Sequence, residues 1–183
     1  PNRTSFIALV RYADGERRYV LAPQEFRVGS TFIVSDKAPL AAGNRLPLKA
    51  IPVVTFVFNI ELTPGRGAQL VRSAGSSAEV IAAEDDHVQI KMPSGEIRMI
   101  RAKNWATIGA LSNAEWSFQT IGKAGRNRLR GIRPTVRGSA MNPRDHPYGG
   151  GEGRQLRGTK RPKTKWGKIT GGVKTRKNKK SDR

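Results

Sequence analysis

The sequence predicts an all-β fold: a small SH3-like barrel preceded by a smaller β unit and followed by a long, basic, mostly irregular extension. Three observations carry this. Over the first 110 residues, short runs of alternating apolar character are separated by turn residues, which is the pattern of small barrels and sandwiches. Apolar periodicity at helical spacing is nearly absent. Charge is also divided unevenly: residues 1–120 hold 14 Lys/Arg and 11 Asp/Glu, whereas residues 121–183 hold 20 and 3.

Taken in order, Ser5–Arg11 is the first strand and Arg17–Ala22 the second. Asp14-Gly15 between them supplies the turn that twists a hairpin correctly. Thr31–Val34 is expected as a third short strand. Pro39, Gly43 and Pro47 then read as a linker. The longest apolar run, Val53–Leu62, places Phe56, Phe58 and Ile60 at strand period two, and Pro64-Gly65-Arg66-Gly67 ends it. Strands follow at Ala78–Ala83, His87–Met92 and Glu96–Arg101, the last two joined by Pro93-Ser94-Gly95, and Ala106–Leu111 would close the barrel. The best helical candidate is the short turn Lys123–Arg128. Three regions result: 1–45, 46–120 and 121–183.

Beyond Gly122 an Arg or Lys falls every two to four residues among glycines and prolines. A net charge of +17 over 63 residues repels itself unless it meets a polyanion. Nucleic acid is the commonest such partner, because neutralising phosphates releases counterions. An anionic membrane would want these cations on one face of an amphipathic helix, which the Gly and Pro content opposes. A solvated tail or a nuclear-targeting run is the plainer alternative. RNA is favoured over duplex DNA, since an extended chain suits irregular RNA surfaces. Such a segment buries too little apolar area to order itself alone.

The chain has no cysteine, so disulfides and Cys-ligated metals are excluded. No run approaches the ~18 apolar residues of a membrane-spanning helix, and no signal peptide is expected, since the numbered residues open on no charged-then-apolar stretch. The first residue is Pro1 rather than Met, so the numbered chain is expected to begin inside a longer gene product or after processing. His87 and His146 lie far apart and no carboxylates fall at calcium-loop spacing, so no metal site is expected. No cofactor is expected either, apart from Mg2+ held through RNA phosphates.

Three stretches could carry function. Residues 141–154, MNPRDHPYGGGEGR, contain His146, which a catalytic reading would make a general base oriented by Asp145 or Glu152. No nucleophile is paired with it, and stacking or hydrogen bonding of His146 and Tyr148 against bases fits better. Gly149–Gly153 lacks the Gly-Lys-Ser/Thr ending of a P-loop. In residues 64–77, Arg66, Gln69 and Arg72 stand among small residues and could enter an RNA groove, or could simply be solvated. Trp105 and Trp116 adjoin strand patterns and belong with the barrel. Trp166, between Lys165 and Lys168, is the better base-stacking candidate.

The stretches ADGERRYVLAP, GNRLPL, PGRGAQLVRSAG, PSGEIRMI, GKAGRNR, RPTVRGSAMNPRDHPYGGGEGR and KTRKNKKSDR together resemble the large-subunit ribosomal protein L-two family, in its bacterial or organellar form. The resemblance spans nearly the whole chain. It implies an OB-like unit over 1–45, lacking part of its N-terminal segment, then an SH3-like barrel over 46–120. Residues 121–183 would then penetrate the rRNA. It implies a structural constituent, not an enzyme, bound to large-subunit rRNA near the peptidyl-transferase region, with roles in assembly, subunit association and tRNA placement. Its setting would be a cytoplasmic ribosome of bacterial type, or alternatively an organellar matrix. Neighbouring ribosomal proteins, the small subunit and tRNA would be further contacts, with no membrane partner and no homo-oligomer.

Residues expected at the RNA are Arg66, Gln69 and Arg72, then Lys123, Arg126, Arg128, Arg133, Arg137, Asn142, Arg144, His146, Tyr148 and Arg154, and finally Trp166, Lys168, Lys174 and Arg176. The family motif usually reads His-Pro-His-Gly-Gly-Gly. Tyr148 replaces the second histidine here, which weakens any two-histidine chemistry.

Overall fold

The hairpin that Asp14-Gly15 predicts forms around Gly15, whose φ of +88° suits glycine. Tyr12 N–H donates to Glu16 O at 2.8 Å across the turn. It joins β1 (Ile7–Arg11) to β2 (Arg17–Leu21), antiparallel, with Leu9 opposite Tyr19. The computed structural model of the chain describes residues 2–151 and 158–171. These fall into two compact units that divide at Thr120 and Ile121.

In the first unit, β3 (Arg45–Pro47), β4 (Phe56–Phe58), β7 (Ala78–Ala83), β8 (His87–Lys91), β9 (Ile97–Arg101) and β10 (Trp105–Ile108) make one antiparallel sheet. Its order is β3-β10-β4-β7-β8-β9. A second ribbon pairs β5 (Ile60–Glu61) with β6 (Ala68–Leu70). The all-β, SH3-like expectation holds, with helix confined to short pieces.

One core serves this unit. Leu46, Leu48, Ile51, Val57, Phe58, Ile60, Val80, Val88, Ile90 and Leu111 are all essentially buried. At about 1.5–3 kcal/mol for each large apolar side chain removed from water, this cluster is the main stabiliser. The β1–β2 hairpin adds little to it: Ile7, Leu9 and Tyr19 stand 55, 55 and 70% exposed on one face. An isolated hairpin is marginal in water. This one is tethered to the barrel, with Phe6 N–H donating to Ser112 Oγ and Gln24 N–H to Ala110 O.

Three elements differ from expectation, each for a local reason. Thr31–Val34 makes only a single bridge, Val34 to Arg45, because the Asn44 side chain takes the Ile33 N–H at 2.8 Å. The run Val53–Leu62 does not form one strand. Val54 and Asn59 both take positive φ, 64° and 52°, so pairing begins at Phe56 and breaks between β4 and β5. The stretch from Pro39 to Pro47, expected as a linker, ends in β3. Proline is tolerated there because β3 is an edge strand.

None of the described residues of the second unit is buried. The α-helix among them, α1 (Ala124–Leu129), lies within a residue of the expected position. Gly131, at φ +81°, ends it by donating to Arg128 O. A 3-10 turn at Gly138–Ala140 follows. A small hairpin then spans residues 162–170, with Lys163 bridged to Ile169.

Candidate nucleic-acid interface

The loop carrying Arg66 is held from beneath by a buried carboxylate. Glu61, 3% exposed, accepts the Gly67 N–H on Oε1 at 2.8 Å and the Trp105 N–H on Oε2 at 3.2 Å. A single side chain thus ties the loop after β5 to the start of β10. Arg66 and Gln69 are exposed above it. At Val71 the chain takes φ +52°, a costly conformation for a β-branched residue. It is pinned there by Asn59 N–H donating to Val71 O at 2.9 Å. The turn sends the Arg72 side chain back over β6, where Nη1 donates to Ala68 O at 3.2 Å.

Beneath the same region, Arg45 donates through Nη1 to Asn59 O and Thr107 Oγ1. Burial pushes its guanidinium down from the usual range, and the charge of Glu61 opposes that.

Most of the described cations of the second unit lie at its surface. Lys123, Arg126, Arg128, Arg133, Arg137, Arg144 and Lys168 are all exposed. Arg126 folds back to donate to Ile121 O at 2.9 Å. The ion pairs found among the described residues, Arg18–Glu16 and Arg98–Glu96, both lie in the first unit. The outward cations of the second unit therefore keep their charge available to an external anion.

The turn 141–150 is closed by its own backbone. Asn142 O accepts the N–H of Asp145 at 2.9 Å and of His146 at 3.2 Å, and Gly150 N–H donates to Met141 O at 3.1 Å. Exposed Asn142 thus serves the turn through its carbonyl. His146 is half-buried, with its imidazole against the α-carbon of Gly138. Its Nδ1 accepts the Tyr148 N–H at 3.1 Å, so the neutral ring carries its proton on Nε2. The two rings lie 4.9 Å apart, tilted by 48°. Neither Asp145 nor any other carboxylate among the described residues orients the imidazole. Tyr148 extends the arrangement, its hydroxyl accepting the Lys163 N–H, which links the turn to the hairpin 162–170. At the tip of that hairpin Trp166 is 79% exposed between Lys165 and Lys168. Trp105 and Trp116 are half-buried in the first unit.

Arg154, Lys174 and Arg176, with Glu152, lie outside the described residues. Among the described residues no group of three His, Asp or Glu side chains gathers as a metal site, and no helix is long and apolar enough to cross a membrane.

The structure also adds residues that the sequence did not single out. Glu61 read as one acid among apolar strand residues, and nothing in the order of residues marks it as the support of the Arg66 loop. Arg3 donates through Nη1 to Arg72 O at 3.0 Å, a neighbour 69 positions away that only the fold reveals.

Comparison with known families agrees with this basic, β-rich surface. Residues 1–35 match Ribosomal Proteins L2, RNA binding N-terminal domain, and residues 41–167 match Ribosomal Proteins L2, C-terminal domain. With more than half its length matched by the second of these, the chain belongs to the ribosomal protein L2 family, RNA-binding structural proteins of the large ribosomal subunit.

Proposed function

We propose that the chain anchors itself through its barrel and lays its basic extension into large-subunit rRNA near the peptidyl-transferase region. There it supports assembly, subunit association and tRNA placement. The observation that carries this reading is the second unit's lack of any buried residue among those described. A segment whose described residues form no core, and which exposes Lys123, Arg126, Arg128, Arg133, Arg137, Arg144 and Lys168, gains its order from what it binds. Large-subunit rRNA supplies both the phosphates and the packing.

In this reading Arg66, Gln69 and Arg72 contact RNA from the barrel, and Lys123, Arg126, Arg128, Arg133, Arg137 and Arg144 from the extension. Arginine suits the role because its planar fork matches phosphate oxygens. His146 acts as architecture: its Nδ1 lone pair is occupied by the Tyr148 N–H, and its ring fills the space beside Gly138. The setting proposed is a cytoplasmic ribosome of bacterial type, with an organellar ribosome the alternative. Neighbouring ribosomal proteins are further partners, and any Mg2+ reaches the chain through rRNA.

The test is competition. Binding to large-subunit rRNA should survive an excess of unrelated RNA at moderate salt, since contacts to phosphates alone are salt-sensitive and blind to sequence. Loss of binding under those conditions would make the chain a general RNA binder and defeat the proposal.

Trp166 gives a narrower check. Stacking of a base on an exposed indole contributes about 1–3 kcal/mol, so Trp166→Ala should weaken rRNA binding by roughly 5- to 150-fold. Trp166→Phe should recover much of the loss. An unchanged affinity for Trp166→Ala would remove this residue from the interface.

A further inference from the structure

We infer that Arg3 and Arg72 together form a seat for one RNA backbone phosphate on the barrel unit. This rests on the reading of the chain as an rRNA-binding protein and specifies one contact within it. The two arginines lie 69 positions apart in the sequence. The fold joins them by a set of bonds that lay the first residues along the loop 71–76. Arg3 Nη1 donates to Arg72 O at 3.0 Å, Ala74 N–H to Thr4 Oγ1 at 3.0 Å, and Asn113 Nδ2 to Thr4 O at 2.7 Å. Arg72 is held from its other side by the bond of its Nη1 to Ala68 O.

The Arg3 guanidinium is therefore fixed on the Arg72 backbone, near enough for its charge to act on the Arg72 guanidinium, and no ion pair with a carboxylate relieves either of them among the described residues. Burial, and after it the charge of Arg3, push the Arg72 guanidinium down from its usual range. The Nε of Arg72 is shielded from solvent and has no hydrogen-bond partner. Leaving such a donor without an acceptor is unfavourable. A phosphate answers all three features. Its charge removes the repulsion, its oxygens accept from both guanidiniums, and one of them supplies the acceptor that Nε lacks. Charge-assisted bonds of this kind are roughly twice as strong as neutral ones. Arg72 lies three residues beyond Gln69 of β6, so one RNA strand following the exposed side of Arg66 and Gln69 would reach the seat.

The experiment compares Arg3→Gln, Arg72→Gln, the double variant and Arg72→Lys in the full chain. Affinity for large-subunit rRNA is measured across a salt series, and thermal melting checks that each variant folds. One phosphate shared by two arginines predicts non-additive losses. The double variant should lose little more than the worse single variant, and its plot of log affinity against log salt should flatten by about 0.7–0.9, the value of one neutralised phosphate. Arg72→Lys, which keeps the charge without the fork, should hold the slope and still lose about tenfold in affinity. Additive losses with a flattening of roughly twice that size would mean two separate contacts and overturn the shared seat. Parental affinity in every folded variant would overturn it as well.

The underlying reading fails differently, through a parent chain that shows no preference for large-subunit rRNA. The Nε signal of Arg72 in NMR distinguishes the source of the phosphate. It should move on adding rRNA. A response to inorganic phosphate that rRNA neither competes with nor reproduces would assign the site to the free ion instead.

Discussion

Glu61→Ala is expected to lower the melting temperature of the barrel unit by about 10 °C or more. The carboxylate is buried and serves two backbone donors on different elements, Gly67 and Trp105. Hydrogen bonds to a charged group contribute about 1.5–3 kcal/mol each, and removing the acceptor strands both donors. Arg45 raises the loss further, since its guanidinium is already disfavoured by burial and Glu61 offsets part of that. A combined loss of about 3 kcal/mol or more converts to that shift at roughly 4 °C per kcal/mol for a unit of this size.

Glu61→Gln separates charge from shape. It retains one carbonyl acceptor but turns an NH2 group toward the second donor, so about half the loss should remain. Tryptophan fluorescence reports the melt, with Trp105, whose backbone N–H is one of the two donors, contributing to it. If Glu61→Ala melts within a degree or two of the parent, water has replaced the carboxylate and the loop does not depend on it. If the loop does depend on it, rRNA affinity should fall alongside stability, because the segment presenting Arg66 is no longer fixed to β10.

That dependence was not legible in the sequence, and the reason is general. Local signals survive reading because their physics is local. Gly15 in its hairpin, Gly95 between β8 and β9, and the alternation of Ala78–Ala83 needed only their immediate neighbours. Long-range partners leave no such trace. Glu61 binds a backbone group 44 positions away, and Arg3 bonds to a carbonyl 69 positions away. Backbone strain was hidden as well. Val54, Asn59 and Val71 each take positive φ, which nothing in their neighbouring residues announces. The strand at Arg45–Pro47 was missed because its proline is acceptable only at a sheet edge, and edge position is a property of topology. Of the site, the basic extension and the small residues around Arg66 were plain from composition and spacing. What the tyrosine at position 148 does was not, since its partner is the backbone of Lys163 in a separate hairpin.

The glycine-rich turn yields the other large effect. Gly149→Ala is expected to open the turn 141–150 and to weaken rRNA binding by at least ~30-fold. A Cβ on Gly149 would lie 2.1 Å from Asn142 O, 2.4 Å from Asn142 C and 2.7 Å from Met141 O. All three are backbone atoms at the start of the turn itself, so no side-chain rotation relieves the contact. Asn142 O is the acceptor for both Asp145 and His146, and Met141 O for Gly150. Displacing them loses two or three hydrogen bonds of about 0.5–1.5 kcal/mol each, and about 2 kcal/mol corresponds to the stated loss. The melt of the barrel should not change, because its core draws on no described residue beyond position 111.

His146→Ala is the informative contrast. It removes the acceptor for Tyr148 N–H and vacates the space beside Gly138, but it leaves the backbone closure intact. Its loss of rRNA affinity should stay below about tenfold, on the scale of one hydrogen bond and its packing. Large subunits assembled with that variant should form peptide bonds at the parental rate. Normal assembly with peptide-bond formation abolished would make His146 a participant in the chemistry. Parental rRNA affinity for Gly149→Ala would show that the closed turn is not the form that meets RNA. The ordering of the two variants, glycine far worse than histidine, is what an architectural role for this motif requires, because the backbone path is then the element recognised and the imidazole only one of its supports.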